Sequence, residues 1–136
     1  MKIFEIIPQL SSGGAERCVV VLCNHLVKSN DVVLITYYQT GDANFYLPEL
    51  SDSVRHIALN KNVGVSFSMF WEIFSKIKSE QPDIVHMHLL AINYLLPNIF
   101  FFRNHVKYYM TIHNDAEKEA VTGIEKCSKS GNQSAT

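Results

Sequence analysis

Residues Lys2–Arg17 read KIFEIIPQLSSGGAER, an apolar run, a short polar loop, two adjacent glycines, then the opening of a helix at Ala15-Glu16-Arg17. This stretch decides the fold. An apolar strand feeding through glycines into a helix is the start of a β-α-β unit, which predicts parallel strands. Gly13 and Gly14 put no Cβ between backbone and ligand, and the helix behind them aims unpaired N–H groups at the same place. Together these make an anion site. The plainer alternative is that the two glycines only permit a tight turn.

Working outward, four further β-rich runs follow, at Asp31–Tyr38, Val54–Leu59, Ile84–His88 and Lys107–His113. Helical segments separate them. Ala15–Ser29 carries Ala15, Cys18, Val19, Leu22, Cys23 and Leu26 at i, i+3, i+4 spacing. Ser66–Glu80 puts Phe67, Phe70, Ile73, Phe74 and Ile77 on one stripe, and Ala91–Phe102 is helical with a bend or restart at Pro97. Residues 39–52, with Gly41, Asp42, Asn44, Pro48 and Asp52, read as a surface loop. The alternation predicts an α/β fold, a Rossmann-like doubly wound parallel sheet of order 3-2-1-4-5 with right-handed crossovers. In that order strands one and four are neighbours, and the glycine loop comes beside His86 and His88. His113 lies one strand further along.

The bulk numbers fit one globular domain. A chain of 136 residues, 47% hydrophobic and 18% charged, buries about 65–70% of its unfolded surface. A net charge of -1, with 12 scattered Lys and Arg, leaves no basic footprint for nucleic acid. Cys18, Cys23 and Cys127 have no CxxC spacing, and the first two read as small core residues in a reducing, cytoplasmic setting. Glu5 within the first apolar run, with no small-residue cleavage site after it, argues for a buried strand and against a signal peptide. The most apolar window, Ile84–Phe102, is interrupted by His86, His88, Asn93, Pro97 and Asn98, so it reads as core rather than a membrane span. Peripheral contact with the inner face of a membrane through Ile99–Phe102 is the alternative.

A nicotinamide or flavin site fails, since the loop lacks G-x-G-x-x-G and the second strand ends without an acid for a ribose hydroxyl. A metal site is the stronger rival. His86 and His88 at i, i+2 leave one face of a strand, and with His113 they would offer three nitrogens to zinc, as in a metal hydrolase. Against it, no carboxylate is evident at the strand ends: Asp83 is at the wrong end of its strand and Asp115 lies past the fifth. Core histidines and histidines bound to a polar ligand also remain open. The expectation is no metal.

Three motifs then bear on the choice: P-x-L-x-x-G-G-A-E at Pro8–Glu16, P-D-I-V-H-x-H at Pro82–His88, and T-x-H-[DN] at Thr111–Asn114. In this order, at these strand ends, the chain resembles the N-terminal domain of the family 4 glycosyltransferases, the retaining group with the GT-B fold. The resemblance covers residues 1 to about 124 and leaves 125–136 as a disordered or aberrant tail, with a polar helix over Asp115–Lys126 before it. It implies transfer of a sugar from a nucleotide-sugar to a carbohydrate or lipid-linked acceptor, with no cofactor, in cell-envelope polysaccharide synthesis. It implies that Gly13 and Gly14 contact a donor or acceptor phosphate, that His113 is the candidate catalytic residue on the donor sugar, and that His88 lines the acceptor side. Ser12, Glu16, His86 and Asn114 would line the cleft, with Glu16 serving as a helix cap. A complete member has a second Rossmann-like domain with a basic pair and a paired-glutamate motif, and neither is in this sequence. The chain therefore reads as one half of a GT-B fold, incomplete at its C-terminus and inactive alone. Its alternative is a free-standing domain that pairs with a separate donor-binding subunit.

Overall fold

The structure, a computed structural model, describes residues 1–38, 41–59, 67–89, 95–102 and 104–113. Strands β1 (Lys2–Ile7), β2 (Asp31–Thr36), β3 (Arg55–Ala58), β4 (Ile84–His88) and β5 (Lys107–Thr111) form one sheet of order β3-β2-β1-β4-β5. Every pairing is parallel. The expected α/β doubly wound sheet and its strand order are what the chain forms. Helices α1 (Gly14–Leu26), α2 (Phe67–Glu80) and α3 (Leu96–Phe102) make the crossovers within the described residues.

Alternation along β1 divides the core in two. Phe4 and Ile6 join Val33, Ile35, Val85 and Met87 with Ile73 and Ile77 of α2. Ile7, on the other face, joins Leu34, Val32 and the α1 residues Val19, Val20 and Cys23. Strands with side chains buried on both faces read as continuous apolar runs, and the all-buried interior of β2 from Val32 to Thr36 is such a case.

Local geometry corrects several sequence expectations. On α1 the buried stripe is Glu16, Val19, Val20 and Cys23, so Cys18 is exposed and is not a core residue. On α2 the buried set is Met69, Ile73 and Ile77, and Phe67 points outward at 78% exposure. Each stripe is rotated by a residue or two from the simple reading, because an i, i+3, i+4 pattern with spare apolar positions fits two rotations. Pro97 stands at the start of a helix, where a restart was expected, and residues 90–94 before it lie outside the described residues. It is the second residue of α3, a first-turn position where a missing N–H costs nothing. The loop at 41–50 is docked rather than loose: two 3-10 turns, Gly41–Asn44 and Leu47–Glu49, exchange backbone bonds with Leu10, whose N–H donates to the Ala43 carbonyl at 2.7 Å and whose carbonyl accepts from Tyr46 at 3.1 Å.

The helix α2 ends on Gln81 at φ 45°, whose N–H donates to the Ile77 carbonyl at 2.9 Å, a left-handed cap before Pro82. Asp83 is structural. Its carboxylate accepts from the Lys2 N–H at 2.7 Å, its own N–H donates to the Lys2 carbonyl, and its carbonyl accepts from Lys107. The N-terminal ends of β1, β4 and β5 are tied there. The expected tail helix, the tail beyond it, and Asn114 lie outside the described residues.

Candidate active site at the strand ends

The loop after β1 is pinned before it reaches the glycines. The Pro8 carbonyl accepts from both Tyr37 and Tyr38 at 2.9 Å, and Leu10 is fully buried. Gly13 then caps α1 in an extended conformation, φ -88° and ψ 162°, and Gly14 is the first helical residue. Neither glycine is left-handed, so backbone strain does not explain the pair. Their reasons differ. A Cβ on Gly13 would collide with the Glu16 carboxylate, which folds back over it, whereas a Cβ on Gly14 would meet nothing within 4 Å.

Glu16 is the third residue of α1, buried at 8% exposure, and Oε1 accepts from the Ser11 hydroxyl at 2.8 Å. A carboxylate in the first turn offsets the positive end of the helix by about 0.3–1 kcal/mol. The anion nearest the helix start is thus supplied by the chain itself. The free approach for any second anion is over the bare Gly14 backbone. Ser12 is exposed beside it.

On β4, His86 and His88 leave the same face, with ring centroids 4.1 Å apart. Register puts Glu5 of β1 opposite His86, and Thr111 of β5 opposite His88. One carboxylate oxygen, Glu5 Oε2, accepts from His88 Nε2 at 2.7 Å and from His86 Nδ1 at 3.0 Å. His86 Nε2 meets Thr111 Oγ1 at 2.8 Å, and His88 Nδ1 meets His113 Nε2 at 3.1 Å. The His88 and His113 rings stack at 5.4 Å. Directly after His88 the chain turns at Leu89, φ 57°, a conformation costly for a branched side chain and one that ends the strand at the histidine.

Burial would raise the Glu5 pKa, yet the hydrogen bonds from His86 and His88 and their positive potential outweigh it and hold the carboxyl below its usual range. Burial lowers His113, the neighbouring His88 and His86 add to that, and the Glu16 charge opposes them. Glu16 after β1 and His113 after β5 therefore act on one another across the end of β4. Burial and the Glu5 charge push the Cys23 thiol up, so it stays protonated.

Glu5 is the residue that reading the sequence missed. The apparent lack of a carboxylate near the histidines is overturned by it, because the acid comes from the middle of β1 and not from a strand end. A signal existed: a lone carboxylate inside a buried strand must find partners, and the strand predicted beside it carries two histidines on one face. The structure brings together His86, His88 and His113, and it adds Glu5 and Thr111. Glu5, His86 and His88 also present ligand atoms within 4.8 Å of one another, a shape that could hold a cation. In the structure those atoms are spent on each other, the anionic oxygen serving as acceptor for two rings.

A groove of about 380 Å³ runs along the open sheet face, lined by Glu5, His86, Tyr109, Thr111, Leu22 and Leu26. It follows the strands toward Met1 and Asn30 rather than sitting at their C-terminal ends. β5 forms the sheet edge among the described residues, with Tyr109, Met110 and Ile112 exposed. No helix among the described residues is long and apolar enough to cross a membrane.

A glycine loop, paired strand-end histidines and a parallel switch point mark a domain of the doubly wound class. The family model of Glycosyltransferase Family 4 matches residues 12–132, and this chain belongs to that family. Its fold is similar to that of a glycosyltransferase crystal structure from Rickettsia africae ESF-5, with a TM-score of 0.60 and 23% identity. That likeness covers 82% of this chain and 29% of the other, so the chain spans under a third of the solved protein. No curated protein matches.

Proposed function

We propose that the chain is the acceptor-side half of a retaining glycosyltransferase, taking a nucleotide-sugar as donor and a carbohydrate or lipid-linked acceptor in cell-envelope polysaccharide synthesis. The observation that carries this is the contact of His88 with His113 at the ends of β4 and β5, beside β1 and the glycine loop that follows it, where doubly wound folds bind ligands. In this reading a phosphate sits against the Gly14 backbone, with Glu16 restricting it to that side. His113 hydrogen-bonds the donor sugar, and His88 stands behind it. Cofactors play no part. Asn114 follows His113 and would complete the rim.

Departure of the nucleotide diphosphate needs cationic groups to hold the developing charge, usually the largest electrostatic contribution to such a reaction. The sequence carries neither the family's basic pair nor its paired glutamates, so these residues alone should not turn over. A donor-binding domain, in the same polypeptide or a partner subunit, would supply them. The position of β5 at the sheet edge among the described residues, with Tyr109, Met110 and Ile112 exposed there, favours a covered face. The test is transfer from a panel of nucleotide-sugars, with membrane extract as acceptor source. The 136-residue chain should be inactive, and activity should appear when a homologous donor domain is fused or added. Steady turnover by the chain alone would overturn the half-enzyme reading.

A further inference from the structure

The outer surface of α2 and α3 is aromatic, where the exposed side of a helix is ordinarily polar. Phe67, Trp71 and Phe74 recur at i, i+4, i+7 on α2, and Phe100 and Phe101 stand on α3. Trp71 packs edge-on against Phe74 with ring centroids 5.9 Å apart. Phe74 meets Phe101 at 5.7 Å, and Phe101 meets Phe100 at 5.7 Å. The rings thus form one continuous surface across two helices, yet Trp71, Phe100 and Phe101 are 72%, 71% and 66% exposed. The core beneath is closed without them, since α2 packs through Met69, Ile73 and Ile77. Of the run Ile99–Phe102, Phe100 and Phe101 are exposed, and α2 supplies the rest of the surface from residues that the sequence pattern assigned to its core stripe. Both helices end shortly before the strand that follows them, so each runs from the His88 end of the sheet toward the other.

We propose that this face docks on the surface of an anionic lipid bilayer, with its rings seated at headgroup level. Tryptophan and phenylalanine on the outer side with a lysine at the rim are the composition of an interfacial helix face. Area separates a bilayer from a second protein. At roughly 200 Å² per aromatic side chain, the exposed parts of Phe67, Trp71, Phe100 and Phe101 come to on the order of 600 Å². A standard protein interface buries about 800 Å² on each partner. Charge has the matching sign. Lys78 continues the face of Phe67, Trp71 and Phe74 one turn further on, and α3 carries no charged residue. Glu72 lies about 100° round the helix from Trp71, and Glu80 is held by Lys2 and Arg55. The net charge of -1 gives the whole chain no long-range attraction to such a surface, so the rings carry the binding and Lys78 sets the preference for anionic lipid. Docking of this kind needs neither donor nor acceptor, and it stands apart from the sugar-transfer reading.

Trp71 is the single tryptophan of the sequence, so its fluorescence reports on this face of the native chain. Vesicles of phosphatidylcholine mixed with phosphatidylglycerol should shift its emission to the blue, and lipid brominated near the headgroup should quench it. Phosphatidylcholine alone should bind roughly fivefold more weakly, the effect of one lysine beside an anionic surface. Lys78→Glu should abolish that preference. Phe100→Ser combined with Phe101→Ser should lower partition onto both kinds of vesicle at least about tenfold. Both of those residues are exposed, and the reading on the native chain needs no variant to fold. Trp71 emission unmoved by either kind of vesicle would overturn the proposal. Binding with Trp71 unquenched would do the same, because another face would then be in contact. A blue shift that grows with protein concentration in the absence of lipid would also overturn it and make the occupant a second copy of the chain.

Discussion

Phe4 and Glu5 are consecutive residues of the central strand, and they look onto two different kinds of interior. On the Phe4 side the sheet is closed by α2 and α3 with Ile73, Ile77, Met69 and Leu95, and nearly everything in contact is hydrocarbon. On the Glu5 side, among the described residues, α1 covers the β1–β2 part of the sheet. The rest is occupied by one carboxylate, two histidines and a threonine, with His113 beyond them. The first face is held by area removed from water and tolerates reshuffling of similar volumes. The second is held by directional bonds whose members cannot be exchanged singly, because a partner left behind is a buried polar group without a match.

Truncation on the dry face should be the harshest test of that contrast. Phe4→Ala removes a fully buried ring and is expected to cost about 3–5 kcal/mol, measured as the shift of a urea melt.

On the other face the effect should depend on chemistry more than on volume. Glu5→Leu keeps the bulk yet leaves two ring N–H groups without an acceptor, at about 1–3 kcal/mol each where buried. Glu5→Gln keeps one carbonyl acceptor and should cost less. If the two variants melt alike, the face is held by packing after all.

Acidification sharpens the same distinction. Glu5 has a folded pKa below its unfolded value, so its stabilisation is present above about pH 4.5 and is lost as pH falls through the folded pKa. His113 and His56 are also lowered in the fold. For a base this favours the neutral folded form, so stability falls as pH drops below about 6.5, where the unfolded chain takes up protons first. Both act in one direction, and melts from pH 8 to pH 4 should show a steady loss. In Glu5→Gln the part below pH 4.5 should be reduced.

The glycine loop offers a smaller effect of opposite sign at adjacent positions. Gly13→Ala forces the Glu16 carboxylate off its seat and should destabilise. Gly14→Ala fills open space in the first turn of a helix and should stabilise by about 0.5–1 kcal/mol. In an active fusion with a donor domain, Gly14→Ala should nevertheless lose transfer. Full activity there would remove the phosphate from the proposed site. Zinc is expected to have the least effect: no rise in melting temperature beyond that of a His113→Ala control. A rise abolished by Glu5→Gln, His86→Ala and His88→Ala alike would show that the carboxylate and rings close on a metal instead of on each other.

The order of the sheet was legible because each strand is a short apolar run bounded by breakers, and Gly13-Gly14, His88 and His113 fall where such runs stop or just beyond. What was not legible was pairing across strands. Glu5 looked like an interruption, since its partners are more than eighty positions away and only the register of β1 against β4 makes them neighbours. Cys18 and Phe67 were misplaced for a local reason, the surplus of apolar residues on both helices. Glu16 folding back on Gly13 turns on a side-chain conformation, and spacing carries no information about that.

The distance along the chain between Glu5 and His88 also sets an order of events during synthesis. β1, α1 and β2 are contiguous and can associate as soon as they leave the ribosome, but β1 then holds a bare carboxylate on its second face. That charge stays solvated until residue 88 has emerged, since only β4 brings donors to it. The early β1-α1-β2 unit is thus kept from closing over the wrong partner. Commitment of the central strand waits on a contact that is slow because it is non-local. In kinetic terms Glu5 is a latch, and β1-α1-β2 should collapse earlier in refolding of Glu5→Leu than in refolding of the native sequence.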